Sequence, residues 1–210
     1  MKNGRAIYQR VLTWIINKIS RTILKSGFVV IAFLVTGKFV ISALAMVLMV
    51  FMTDFAKVSL STDRVRPSQE PETWNIGPLV VVAVVLGLAM LAESLGLLAF
   101  GWYVFGLGQS NGQLPTFSFL TLLYFALFSI ISIREQRAFW RSRPGRALSI
   151  ALLADGIVGI LIGWMGFAEM EPLSGVQILV IIGYSLLASL IVNDVLKREL
   201  IARFWKKAKS

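Results

Sequence analysis

Long apolar stretches, each bounded by charged or turn-forming segments, set the strongest limit on what this chain can fold into. Between residues 78 and 107 there is one charged side chain, Glu93, and between 116 and 133 there is none. A helix needs about 20 apolar residues to cross the hydrocarbon core of a bilayer. Stretches of this kind recur at 27–37 (with the last turns of the helix before it), 39–53, 78–107, 116–133, 147–168 and 173–195. The reading is an all-α polytopic membrane bundle of about six transmembrane helices. Composition agrees, with 57% of residues hydrophobic and 15% charged. A soluble domain carries roughly 25% charged residues and could not hide this much apolar surface.

Residues 1–26 read as a basic amphipathic stalk helix on the cytoplasmic side. Ile7, Val11, Ile15, Ile19 and Ile23 recur every fourth position, interleaved with Arg5, Arg10, Lys18, Arg21 and Lys25. Residues 27–195 form the six-helix membrane domain, and 196–210 a basic cytoplasmic tail. A very short turn at Gly37-Lys38 makes the first two spans a tight helical hairpin. Pro67 and Pro71 mark a polar loop over 54–77, and 108–115 is a turn-rich loop.

The net charge of +10 raises nucleic acid as a partner, but its placement assigns it to topology. Twenty of the 21 Lys/Arg fall in the stalk, the 54–77 loop, the 134–146 loop and the tail, leaving only Lys38 on the opposite side. Cytoplasmic segments carry such an excess, so both termini are expected in the cytoplasm. There is no cysteine and no histidine, which excludes disulfides, Cys/His zinc sites and Ser-His-Asp catalysis.

An ionisable side chain inside a membrane is costly and usually faces the bundle interior, where it marks a pathway. Asp155 shares a helical face with Gly159, Gly163 and Gly166, small residues that admit a neighbouring helix. It reads as an ion or proton ligand, or as a structural carboxylate bonded to the basic loop beside it. Glu93 shares a face with Ala89 and Gly96 and reads as a proton-binding group, or as a neutral acid bonded to a carbonyl or serine. Asp54, at the cytoplasmic end of the second span, reads as an entry ligand or as a charge paired with Lys57. Ser42 and Thr53 lie on a stripe with Met46 and Met49 and offer neutral oxygens, or simple packing. Lys25 either snorkels to the interface or serves as a built-in counter-ion. Asp194 pairs most simply with Lys197 or Arg198 one turn on.

Three stretches carry a family resemblance: residues 4–10 (GRAIYQR), Thr53-Asp54-Phe55 continuing through 61–68 (STDRVRPS) to 71–74 (PETW), and 139–146 (FWRSRPGR). Together they resemble the C-terminal transmembrane half of P-type cation ATPases, nearest to the plasma-membrane proton pumps of bacteria and archaea. The resemblance implies that these are the last six of ten helices, in a multi-pass protein of the plasma membrane. It implies a partnership with an N-terminal half that carries the phosphorylation and nucleotide domains. ATP and magnesium belong to those domains, and no cofactor is expected here. The family's Asp-Lys-Thr-Gly, Thr-Gly-Glu and Gly-Asp-Gly motifs do not occur, so this chain alone is not expected to hydrolyse ATP. An ungapped count puts the proton pumps' membrane carboxylate near Val40 or Ile41, and their membrane arginine near Leu24, next to Lys25. The competing readings are a self-standing six-span carrier or channel, and a non-transporting structural relic.

Overall fold

The computed structural model describes residues 2–61, 76–110, 112–135 and 138–207. Helix α1 runs Lys2–Thr36, α2 Ala43–Ser61, α3 Ile76–Val104, α4 Gln113–Ile133, α5 Arg146–Met165, α6 Gly175–Leu187 and α7 Asn193–Lys207. A π-helical turn, Ala188–Val192, joins α6 to α7. Short 3-10 turns follow α3 (Leu107–Gln109) and α4 (Phe139–Arg141). No strand occurs among the described residues; the nearest thing to one is a Phe167–Met170 bridge in the turn before α6.

Among the described residues five helical stretches are long and apolar enough to cross a membrane: Thr13–Thr36, Gly77–Val104, Gln113–Ile133, Arg146–Met165 and Gly175–Arg203. The apolar part of α2, Ala43–Ala56, is shorter. At 1.5 Å per residue it covers roughly 21 Å against a core of about 30 Å. Tilting cannot lengthen it, so its polar last turns or a local thinning of the bilayer must complete a crossing.

The bundle is organised around α4. Nearly all its residues are buried, including Thr116, Ser118, Thr121 and Ser129. It touches α1, α2, α3, α5 and α6. Helix α5 shows the opposite pattern: Ile150, Leu153, Ile157, Leu161 and Trp164 face outward, and only Leu148, Asp155, Gly159 and Gly163 are buried. An apolar helix with a narrow stripe of small buried residues is one that shows lipid most of its circumference.

The structure departs from the sequence reading at the start of the bundle. The boundary expected near residue 27 falls inside α1, which continues unbroken to Thr36. The expected tight hairpin is also absent: α1 packs chiefly along α3 and touches α2 only lightly. The cause lies in two glycines. A Cβ on Gly87 would meet the Ser20 backbone at 3.0 Å, and one on Gly27 would meet the Leu91 side chain at 2.5 Å. Without those atoms α1 and α3 close on each other, and the Ser20 hydroxyl donates to the Ala83 carbonyl at 2.8 Å. Helix α1 ends at Gly37, whose φ of 67° suits a residue lacking Cβ and whose N–H donates to the Phe33 carbonyl at 2.8 Å. Lys38 then reaches across to the Gly108 carbonyl at 2.7 Å, beside the Trp102 ring.

Candidate cation-pathway site

Three of the acidic membrane residues, Asp54, Asp155 and Glu93, settle into two separate places. The first lies where α1, α2 and α5 approach α4. Asp155 is held there by packing: a Cβ on Gly159 would strike Leu123 at 2.8 Å and one on Gly163 would strike Leu120 at 2.7 Å, so α5 seats closely on α4. The Tyr124 hydroxyl fastens the contact by donating to the Gly156 carbonyl at 2.8 Å. Asp155 is 8% exposed, and its Oδ2 has no hydrogen-bond partner.

The charge that faces Asp155 is Arg21 of α1. Arg21 is 3% exposed, and Nε, Nη1 and Nη2 all lack a hydrogen-bond partner. It interacts electrostatically with both Asp54 and Asp155. A cavity of about 230 Å³ opens beside it, lined in part by Asn17, Lys18, Arg21, Lys25, Val50 and Asp54. Asp54 and Lys25, which the sequence singled out separately, therefore share one cavity. In the described part of the 134–146 loop, Arg134 donates to the Ser142 hydroxyl at 2.8 Å and to the Arg143 carbonyl at 3.0 Å.

The second place is the face between α3 and the π-turn. The Asn193 side-chain amide donates to Glu93 Oε2 at 2.7 Å. Tyr184 acts on Glu93 electrostatically, and its hydroxyl lies 3.7 Å from where a Cβ on Gly96 would stand. On the same helical run Ser185 and Ser189 are buried with hydroxyls that have no partner, as is Asn193 Oδ1. A π-turn shifts the register of a helix by one residue and is often found at functional sites. Here it stands directly ahead of Asn193. The partner of Glu93 is an amide, where the sequence reading named a carbonyl or serine.

The two hydroxyls proposed as neutral ligands are used locally. Ser42 caps α2, accepting from the Ala45 N–H at 3.2 Å. Thr53 is buried and donates to the Met49 carbonyl at 2.8 Å. They lie eleven positions apart on the chain, roughly 16 Å along a helix, and only Thr53 adjoins the Asp54 end. Asp194 makes the pairing its spacing suggested, with Lys197 Nζ at 2.6 Å and Arg198 Nε at 3.2 Å.

Sequence reasoning missed Arg21, counting it among the stalk charges. The signal was present: Asn17, Arg21, Leu24 and Phe28 form one buried stripe at helical spacing. Leu24, where the ungapped count puts the family's membrane arginine, is itself a buried apolar member of that stripe. Lys197 was likewise read as tail and is 2% exposed. Among the described residues no three acidic side chains gather into a metal-binding group. The 61–74 stretch of the resemblance lies largely outside the described residues, as do Arg64 and Arg66.

No family model matches the chain. It is 25% identical over 204 residues to a protein of Methanocaldococcus jannaschii named "Putative cation-transporting ATPase MJ1226", covering 97% of this chain. It is 24% identical over 173 residues to a protein of Dictyostelium discoideum named "Probable plasma membrane ATPase", covering 79% of this chain. The chain spans 25% of the length of the first relative and 16% of the second. Both likenesses agree with the resemblance carried by the three sequence stretches, and the apolar helices say which part of such a protein is matched: the chain is similar, along most of its length, to the membrane portion of a P-type cation ATPase.

Proposed function

We propose that this chain forms the C-terminal half of the ion pathway of a P-type cation pump, with the proton as cargo. The observation that carries the reading is Arg21, a buried guanidinium within electrostatic reach of two carboxylates from different helices, Asp54 and Asp155. In a membrane such a group is retained for function far more often than for stability. An arginine stays charged under all working conditions. It serves as a fixed counter-charge: a carboxylate beside it is held when ionised and is released from that attraction when it takes up a proton. Metal cations gain nothing from such a neighbour, which repels them, and this favours the proton. Glu93 is the second protonatable group of the pathway, while Thr53 adjoins Asp54 on the α2 side and Ser42 stands at the far end of that helix.

In this reading both termini are cytoplasmic and the protein resides in the plasma membrane. An N-terminal half supplies the nucleotide and phosphorylation domains, and ATP and magnesium act there. Helix α1 transmits the phosphorylation state, because one continuous helix carries both the stalk and Arg21. Movement of α1 relative to α2 and α5 changes what the guanidinium faces, which is the two-state element that coupling needs.

The test is co-expression with a candidate N-terminal half, measuring vanadate-sensitive ATP hydrolysis and vesicle acidification. Activity that needs both halves, with acidification lost in Asp155→Asn, is expected. Acidification unchanged in both Asp155→Asn and Arg21→Gln would remove the proton pathway from this centre. A self-standing carrier would instead show flux from the purified chain alone.

A further inference from the structure

On α6 the face turned into the bundle runs through Ile178, Ile181, Ser185 and, in the π-turn, Ser189. At 3.6 residues per turn that face continues to Val192 and Leu196. Both are apolar, and an uninterrupted α-helix would set them against α3 and α4. The structure sets other residues there. Asn193 reaches Glu93 of α3, and Lys197 reaches the Ser132 carbonyl near the end of α4. Val192 is left 54% exposed, and Leu196 sits to one side, partly buried against the cluster of Leu79, Val82 and Ile133. The cause is the π-turn Ala188–Val192, closed by the Asn193 N–H donating to the Ala188 carbonyl. A π-turn bonds five residues back where an α-helix bonds four. It therefore holds one residue more and rotates the helix beyond it by about 100°.

That rotation runs against apolar packing. Valine and leucine are the cheap residues to bury, while asparagine, aspartate and lysine are the costly ones. Asn193, Asp194 and Lys197 are nonetheless the three that are buried. Specific bonds compensate: Asn193 to Glu93, and Lys197 to Asp194 and to the Ser132 and Glu135 carbonyls. Helix α7 thus carries two faces that differ by one position. The polar face is held by hydrogen bonds and needs the π-turn. The apolar face is favoured by packing and needs only α-helix.

We propose that α7 has a second register, in which the π-turn relaxes to α-helix, the helix turns by about 100°, and Val192 and Leu196 take the places of Asn193 and Lys197. Asp194 and Lys197 stand three positions apart on the same helix, so their ion pair travels with it. What breaks is the bond to Glu93 and the two bonds to the α4 carbonyls. Glu93 loses its amide partner, and the rotation is carried to the end of α7 at Lys207, roughly 21 Å along the helix. Lys197 is the latch of the observed register, and the Asn193–Glu93 bond is the contact that the switch makes and breaks. The device rests on contacts within this chain, among α3, α4, α6 and α7, and holds whether or not the chain pumps protons.

The chain has no cysteine, so a pair of introduced cysteines reports alone. Spin labels on Ile150→Cys of α5 and Arg203→Cys of α7, both exposed, give the distance between the two helices by double electron–electron resonance on the full chain in nanodiscs. A 100° turn displaces a side chain at the outer radius of a helix by roughly 9 Å. The labelled chain is expected to show the distance of the observed register and a minor second one. The exchange Val192→Asn with Asn193→Val keeps the composition but moves the amide onto the other face, and should make the second distance the major one. Deletion of Ile191 removes the extra residue of the π-turn while Asn193 and Lys197 still face inward, and should leave the first distance alone. Circular dichroism checks that both variants keep their helicity. An unchanged single distance in the parent and in the exchange variant would overturn the proposal. A second distance that survives the deletion would overturn it too, because it would then come from fraying of α7 and not from its register.

Discussion

Among the described residues Arg21, Arg134 and Lys197 are buried cations, and the first and last of these are finished in opposite ways. Lys197 uses all three of its N–H donors: Asp194 Oδ1 at 2.6 Å, the Ser132 carbonyl at 2.6 Å and the Glu135 carbonyl at 2.7 Å. Its ammonium thereby closes the end of α4 with the charge sign a helix C-terminus favours. Arg21 makes none of the hydrogen bonds it could. A buried ammonium whose three donors are all used fixes one geometry and gives the fold a locked corner. A buried charge held only by longer-range attraction to Asp54 and Asp155 can exchange partners without breaking a bond. The saturated centre is the structural one, and the unsaturated centre is the one with chemistry left to perform.

The largest effect should therefore come from the locked corner. Lys197→Met leaves Asp194 buried beside only the partly exposed Arg198, and removing one partner of a buried pair costs about 3–5 kcal/mol. Unfolding in mixed micelles, followed by circular dichroism, should show this loss. The double replacement Lys197→Met with Asp194→Leu should recover much of it, since no buried charge is then stranded. A smaller loss, about 1–3 kcal/mol, is expected for Gly159→Leu, which forces α5 off Leu123 and Tyr124. That variant should also reduce any acidification that depends on Asp155. Arg21→Gln should cost clearly less than Lys197→Met, because no hydrogen bond is lost and the unmet guanidinium donors go with the side chain, offsetting the lost attraction to Asp54 and Asp155. If it proves as destabilising as Lys197→Met, the two centres are alike and the contrast fails.

The bundle itself was legible because its signals are local. Apolar run length identifies the spans, and Gly37, Gly106 and the Ser174/Gln177 capping box end or begin helices where they stand in the chain. Asp155 could be placed inside the protein from its glycine stripe. The pairing of helices was not legible, because the closeness of α1 to α3 depends on Gly87 meeting Ser20 across a long stretch of chain. The same limit hid Arg21. Near the start of a chain rich in Lys and Arg it looks like one more topogenic charge, and only the burial of its helix face separates it from Lys18. Asn193 was equally opaque: it reaches Glu93 from a hundred positions away, and the π-turn that precedes it has no marker in sequence.

The smallest stability effect belongs to Glu93→Gln, and it gives the sharpest test of the second acidic place. Glutamine keeps the shape of the side chain and an oxygen that accepts from the Asn193 amide, so the 2.7 Å hydrogen bond survives the change. What disappears is the capacity to bind and release a proton. Stability should shift by less than about 0.5 kcal/mol, within the range of a conservative replacement that strands no group. Asn193→Leu is the counterpart: it removes the donor, leaves Glu93 without that bond, and should cost about 1–3 kcal/mol. If Glu93 takes part in proton movement, Glu93→Gln lowers acidification in the assembled pump while the bundle unfolds as before. If Glu93 is purely structural, acidification follows stability, and Asn193→Leu becomes the more damaging of the two by both measures.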